Sequence, residues 1–294
     1  MQCDLDHRPI THDSPTQHRM TDASLKSAAS PIPTPAETGG LSLPAQLQAT
    51  GYLSLVALRR LFFSRQTMIS LLLLSFAVLV AFAWSMRRER SPGEFTERML
   101  LPVYVSFLLP IFCLCYGSAS ISSDREEQTL VYLLLTPVPR PLIHLAKYGA
   151  SLLLSLAWTV GGLALLCWAA GSAGTEALPL FWQAVFWSTL AYVGLFHLLS
   201  VVFRRATIIA LAYAVFLETF VGNIPGIAKR VAISFYTRCM IFEAGSDWNI
   251  GPADGRSLEL FLPVSGETAW MTLCSLAVVF LAIGTWQFSR REYV

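Results

Sequence analysis

Six separate apolar runs, each about as long as a bilayer crossing, constrain this chain more than any other feature. Runs of about 18 or more apolar residues mark a helix crossing a hydrocarbon core of ~30 Å. Only helices and closed barrels satisfy their backbone in that medium. The runs are continuous rather than alternating, which selects helices over a barrel. They place spans near Met68–Trp84, Leu101–Ile121, Tyr148–Ala170, Leu180–Phe203, Ala206–Gly222 and Thr268–Phe288. Apolar residues make up 54% of the chain and charged residues only 14%, too little polar surface for a soluble protein of this length. The expected fold is all-α and polytopic, with six transmembrane helices.

A net charge of +2 argues against nucleic acid as a partner, and no internal repeat stands out. The six cysteines are scattered and form no disulfide framework. Cys113 and Cys115 could suggest a soft-metal pair. On a helix, positions i and i+2 point about 200° apart, so packing is the better reading.

Residues 1–50 are polar and rich in Ser, Thr, Pro and His. They cannot bury a core and are expected to be a disordered tail, with residues 51–294 forming the membrane domain. The tail lacks the charged start and apolar core of a signal peptide, so targeting is expected to rest on the first span. In Gly51–Gln66, Arg59, Arg60 and Arg65 stand beside Leu61, Phe62 and Phe63, which suits a helix lying at the interface. An extension of the first span is the alternative.

With the amino terminus inside, ten Lys and Arg fall on inner segments and eight on outer ones. The Arg204–Arg205 turn and the basic end at Arg290 and Arg291 favour that orientation, whereas Arg87, Arg88 and Arg90 oppose it. The stretch Ile227–Gly245 is too charged to span and too apolar for a solvated loop. It is expected to form short amphipathic helices at the outer surface.

No GxxxxGK[ST], HExxH or GxSxG motif is present, and no nucleophile–base constellation. The chain is therefore not expected to be an enzyme. The most unusual segment is Ser122–Leu142, which opens with Asp124, Arg125, Glu126 and Glu127, continues through Leu130–Leu135, and closes on Pro137, Pro139 and Pro141. Acidic residues favour a helix amino terminus, and prolines stop the helix and turn the chain. The segment reads either as a short helix parallel to the membrane, able to transmit force from a soluble partner, or as an interfacial turn with solvated charges.

The stretch DREEQTLVYLLLTPVPR followed by HLAKY resembles the signature of type-two ABC transporter permeases. Asp124, Arg125, Glu126, Thr129, Leu130, Thr136, Pro137, Arg140 and Lys147 match it, while Gln128 and Ala146 replace glycines. The resemblance implies that the segment between the second and third spans is a cytosolic coupling helix docking on a separate ATPase subunit. Asp124, Arg125, Glu126, Glu127, Thr129, Leu130 and Arg140 would make that contact. It further implies a second permease copy or paralogue, multi-pass insertion in an inner (cytoplasmic) membrane with both termini cytoplasmic, and transport by alternating access, in the direction of export. No cofactor is expected on this chain, ATP being bound by the partner subunit. A membrane anchor or assembly factor that holds a soluble partner without transport is the alternative.

Glu218 lies about 18 Å into the fifth span at 1.5 Å per residue. An ionised carboxylate at such depth costs several kcal/mol. Glu218 reads either as a polar gate or substrate contact, or as a tie to the outer half-helices. His197 reads as packing, and Trp182 and Trp187 as an aromatic belt.

Overall fold

The computed structural model describes residues 43–86, 91–126, 139–220, 228–248, 250–251 and 263–290, and these form helices joined by turns without a strand. The helices are α1 (Leu43–Phe62), α2 (Arg65–Ser85), α3 (Pro92–Phe95), α4 (Leu109–Glu126), α5 (Arg140–Ala169), α6 (Ser172–Val202), α7 (Ala206–Tyr213), α8 (Ile233–Ala244) and α9 (Gly266–Arg290). A π-helix, Thr96–Leu108, joins α3 to α4, and a second, Ala214–Phe220, extends α7. Pro102 sits inside the first. Proline has no amide hydrogen to donate and its ring crowds the preceding turn, so a wider local helix relieves both problems.

Five helical stretches are long and apolar enough to cross a membrane: Arg65–Ser85, Pro92–Arg125, Arg140–Ala169, Ser172–Val202 and Gly266–Arg290. They correspond to the first, second, third, fourth and sixth runs. The fifth run forms a shorter apolar helix, Ala206–Phe216. The second stretch starts earlier than its hydropathy suggests, because Ser91 and Pro92 begin the helix well before Leu101. The Ser91 side chain accepts a 3.2 Å hydrogen bond from the Glu94 amide, and proline suits a first turn.

The helix before the first span begins at Leu43, inside the polar stretch assigned to the tail. Ala45, Gln46, Leu47 and Gln48 are good helix formers, and Pro44 is tolerated in the first turn. It ends at Phe62, and the break at Phe63–Ser64 separates it from α2. Thr67 Oγ1 donates to the Leu61 carbonyl at 3.0 Å, satisfying an acceptor freed at the end of α1. Residues 1–42 lie outside the described residues.

α6 is the central helix and packs against α4, α5, α8 and α9. Its small residues Ala177, Ala184, Ala191 and Gly194 are buried beside Phe181, Tyr192 and Phe196. By contrast α2 buries a single stripe, Thr67, Ser70, Leu74, Ala77 and Ala81, and exposes Leu72, Phe76 and Leu79. The spacing of three and four keeps that stripe on one face, and small side chains let helices approach closely where lipid supplies no hydrophobic drive. α5 turns into α6 at Gly171, whose φ of 77° lies in the left-handed region. A side chain at Gly174 would overlap the Cys167 carbonyl.

Polar core groups pair across helices. Tyr104 donates to the Thr159 carbonyl, Thr189 Oγ1 to Thr159 Oγ1 at 2.9 Å, and Ser188 and Thr237 share a 2.5 Å bond. Cys113 packs in the main core, whereas Cys115 packs in a separate cluster with Leu61, Tyr116 and Leu154. The two thiols thus face different surroundings.

Contacts sort the helix ends into two groups. Ile121, Ile143, Val201 and Phe288 form one cluster with Leu53 against it, joining the end of α4, the start of α5, the ends of α6 and α9, and α1. At the opposite end the Trp84 and Phe95 rings lie 5.5 Å apart, the Phe181 and Trp248 rings 5.8 Å apart, and the Glu243 carboxylate accepts from the Gly266 amide.

Candidate functional site

The last turn of α4 carries Asp124, Arg125 and Glu126. Asp124 turns inward, and its carboxylate pairs with Arg60 on α1 and Lys147 on α5. Lys147 is almost fully enclosed, its side chain 3% exposed, while Arg60 retains 40%. Burying an isolated ammonium is costly, so the lysine depends on the carboxylate beside it. Lys147 also donates to the Ser120 carbonyl at 3.4 Å, and Ser120 Oγ bonds His197 Nδ1 at 2.8 Å. The His197 ring lies 4.6 Å from that of His144, which in turn lies 5.3 Å from Phe288 of α9. A polar path therefore starts on α1, passes through α4 and α5, and ends at His197 of α6; from there ring contacts alone reach His144 of α5 and Phe288 of α9. A cavity of about 140 Å³ adjoins it, with apolar walls from Leu53, Val56 and Leu61.

Arg125 serves a different end. Its guanidinium donates to the Phe203 carbonyl at 2.8 Å and the Ser200 carbonyl at 3.2 Å. These oxygens close α6, where the last carbonyls lack helical partners and the dipole favours a cation. Glu126 is the last residue of α4, and Arg140 is exposed at the first position of α5. Of the other residues assigned to partner docking, Glu127, Thr129 and Leu130 lie outside the described residues, as does the rest of 127–138.

Glu218 stands apart from this group. It is fully buried in the second π-helix, and its two carboxylate oxygens accept from the Ile233 amide at 3.1 Å and the Ser234 amide at 3.0 Å. Tyr213 donates to the same carboxylate at 3.2 Å. These amides open α8, whose N-cap residue is Ala232 and offers no side-chain oxygen. Glu218 supplies the missing acceptor from another element, and its charge suits the positive end of the α8 dipole. Glu243 does the same for α9 through the Gly266 amide. On the neighbouring turn of α8, Arg238 donates to Ser106 Oγ of the first π-helix at 2.9 Å.

Sequence reasoning matched Lys147 to a motif without giving it a role, and placed Arg60 only as a surface anchor. The depth of Lys147, eight residues into an apolar helix, was the available signal. Nothing in the sequence pairs Glu243 with Gly266.

The model of the family described as ABC-2 family transporter protein matches residues 16–293, nearly the whole chain. The chain belongs to the ABC-2 transporter family. No curated protein matches it. As an ABC-2 permease component it is a multi-pass membrane protein, not itself catalytic, and the family associates with an ABC ATPase partner. In this ABC-2 chain the acid–base–acid run of Asp124, Arg125 and Glu126 falls at the end of α4, with Asp124 committed to Arg60 and Lys147.

Proposed function

We propose that this chain is the membrane-spanning subunit of an exporter powered by a separate ATPase subunit, two permease copies forming the pathway and opening it alternately to each side. The ATPase docks on the segment between α4 and α5, where Glu126, Glu127, Thr129, Leu130 and Arg140 meet it. Asp124 and Arg125 hold that segment's root to the bundle. Substrate class lies beyond this reading.

The observation that carries it is the family match over residues 16–293 together with a charged connection between two long apolar helices. Orientation follows from charge. Across residues 51–294 ten Lys and Arg fall on segments toward the docking end and eight on segments toward the other, Arg87, Arg88 and Arg90 among the eight; the Arg204–Arg205 turn and the basic end at Arg290 and Arg291 mark the more basic side. That asymmetry supports a cytoplasmic docking end and cytoplasmic termini in an inner membrane. Ala206–Phe220 serves as the remaining span: it leaves the docking end after α6 and brings Glu218 to the first amides of α8.

The test is charge reversal of Glu126 and Glu127 to Lys, at matched permease levels. Repulsion across an interface costs several kcal/mol. The expected outcome is normal membrane insertion with lost ATPase recovery in a detergent pull-down. Recovery equal to wild type would refute the docking surface.

A further inference from the structure

Asp124 closes a loop in the chain. It sits at the end of α4, and its partner Lys147 lies two turns into α5, so the ion pair ties together the helix that leaves the core and the helix that returns to it. Arg60 adds α1 to the same carboxylate. One acceptor group thus receives cations from two elements: α5, which also packs on the end of α4 through Ile121 and Ile143, and α1, which otherwise meets α4 mainly through Leu53 and Leu61. The lysine is enclosed and cannot exchange its partner for water, whereas Arg60 is partly open. The contact to α5 is therefore the permanent one and the contact to α1 the separable one.

We propose that Lys147 and Arg60 are positioning residues which clasp Asp124, so that displacement of the end of α4 is delivered to α5 and α1 together. This rests on the reading that the ATPase docks beside that end. Without Lys147 the carboxylate would be buried beside apolar side chains and would turn toward Arg60 and water. Without Arg60, α4 and α5 would still move as one, and α1 would follow only through its apolar packing on α5. The clasp makes the interfacial helix a driven part of the transport cycle, where its alternative role is a passive anchor in the membrane surface.

The test is hydrogen exchange on the full permease–ATPase complex in lipid nanodiscs, nucleotide-free and after trapping with ATP and orthovanadate. Peptides covering Ser122–Leu142 report docking, and peptides within Leu43–Phe62 report the response of α1. In the wild type both regions are expected to change on trapping. In Arg60→Gln the first region should keep its ATPase-dependent protection and the second should respond well below wild type; in Lys147→Met, where Arg60 still holds Asp124, the α1 response should persist and peptides at the start of α5 should respond less. Arg59→Gln, an exposed neighbour outside the clasp, should behave as wild type. Arg60 is accessible enough that its variant folds even if Lys147→Met does not. An α1 response unchanged in Arg60→Gln, or absent in the wild type while Ser122–Leu142 is protected, would overturn the clasp alone. No ATPase-dependent protection of Ser122–Leu142 in the wild type would overturn the docking surface and the clasp's driven role with it.

Discussion

Replacing Glu218 by Ala removes the acceptor of two main-chain amides at the start of α8 and of the Tyr213 hydroxyl. Ile233 and Ser234 are each 1% exposed, so water cannot take the place of the carboxylate. Leaving a buried donor unsatisfied costs about 1–3 kcal/mol, and losing a charge at a helix amino terminus costs about 0.3–2 kcal/mol more. The groups share one carboxylate, so their losses do not add in full, and a destabilisation of about 3 kcal/mol is expected. That corresponds to roughly a hundredfold shift in the local opening equilibrium of α8, since each 1.4 kcal/mol is tenfold. Glu218→Gln keeps one acceptor and the side-chain shape but loses the charge, and should fall between wild type and Ala. The assay is amide exchange at Ile233 and Ser234 in detergent-solubilised protein, alongside the monodisperse fraction surviving a heating series. Wild-type exchange rates in the Ala variant would refute the cap and return Glu218 to the reading of a gate or substrate contact. A selective loss of transport in the Gln variant, at normal folded yield, would point the same way.

Gly174→Ala should lower folded yield sharply, because the new methyl would overlap the Cys167 carbonyl across the α5–α6 turn; membrane-fraction immunoblotting reads it. Gly171→Ala should cost about 1–3 kcal/mol, because φ 77° with ψ −143° is a conformation that side-chain-bearing residues rarely adopt; a lower melting temperature in size-exclusion analysis reads it. Arg125→Ala removes the guanidinium that bonds the carbonyls closing α6 and should cost about 1 kcal/mol, with faster exchange at the end of that helix and an unchanged α8. Ser91→Cys should react with an impermeant thiol reagent from outside intact cells. Cys239 adds little background, since it is enclosed and burial pushes its thiol pKa up, so its thiolate is scarce at neutral pH. Labelling only after lysis would reverse the proposed orientation.

The long helices were legible because hydropathy reports a one-dimensional property of the chain; α2 and α9 follow their apolar runs closely, whereas α5 and α6 each begin about two turns before theirs. What hydropathy misses is where a helix starts in polar sequence. α1 reaches back to Leu43 because Gln and Ala propagate a helix as well as Leu does, and α3 begins at Pro92 because Ser91 caps it. Glu218 was visible as an anomaly, a charge deep in an apolar run, but its partners lie 15 and 16 residues further on, across a change of direction. Asp124 was visible as part of a motif, and its chemistry was not. Arg60 is 64 residues upstream, and only packing of α1 against α5 brings the two side chains together.

The two ends of the molecule use charge in opposite senses. At one end, cations surround a single inward-facing carboxylate and cap carbonyls, as Arg125 does for α6. At the other, carboxylates close the amino termini of α8 and α9, as Glu218 and Glu243 do. Helix direction is one cause: α4 and α6 end at the first location, where carbonyls face out, and α8 and α9 begin at the second, where amides do. Under the proposed orientation the preference for basic residues on cytoplasmic segments is the other, and the two then act in the same direction. An arginine there both anchors the chain to one membrane face and satisfies helix carbonyls, which explains how an end so rich in cations tolerates their mutual repulsion. An isolated carboxylate placed among them becomes the natural junction. Asp124 occupies that position, and its removal should loosen α1 from α5 more than the loss of any single cation does.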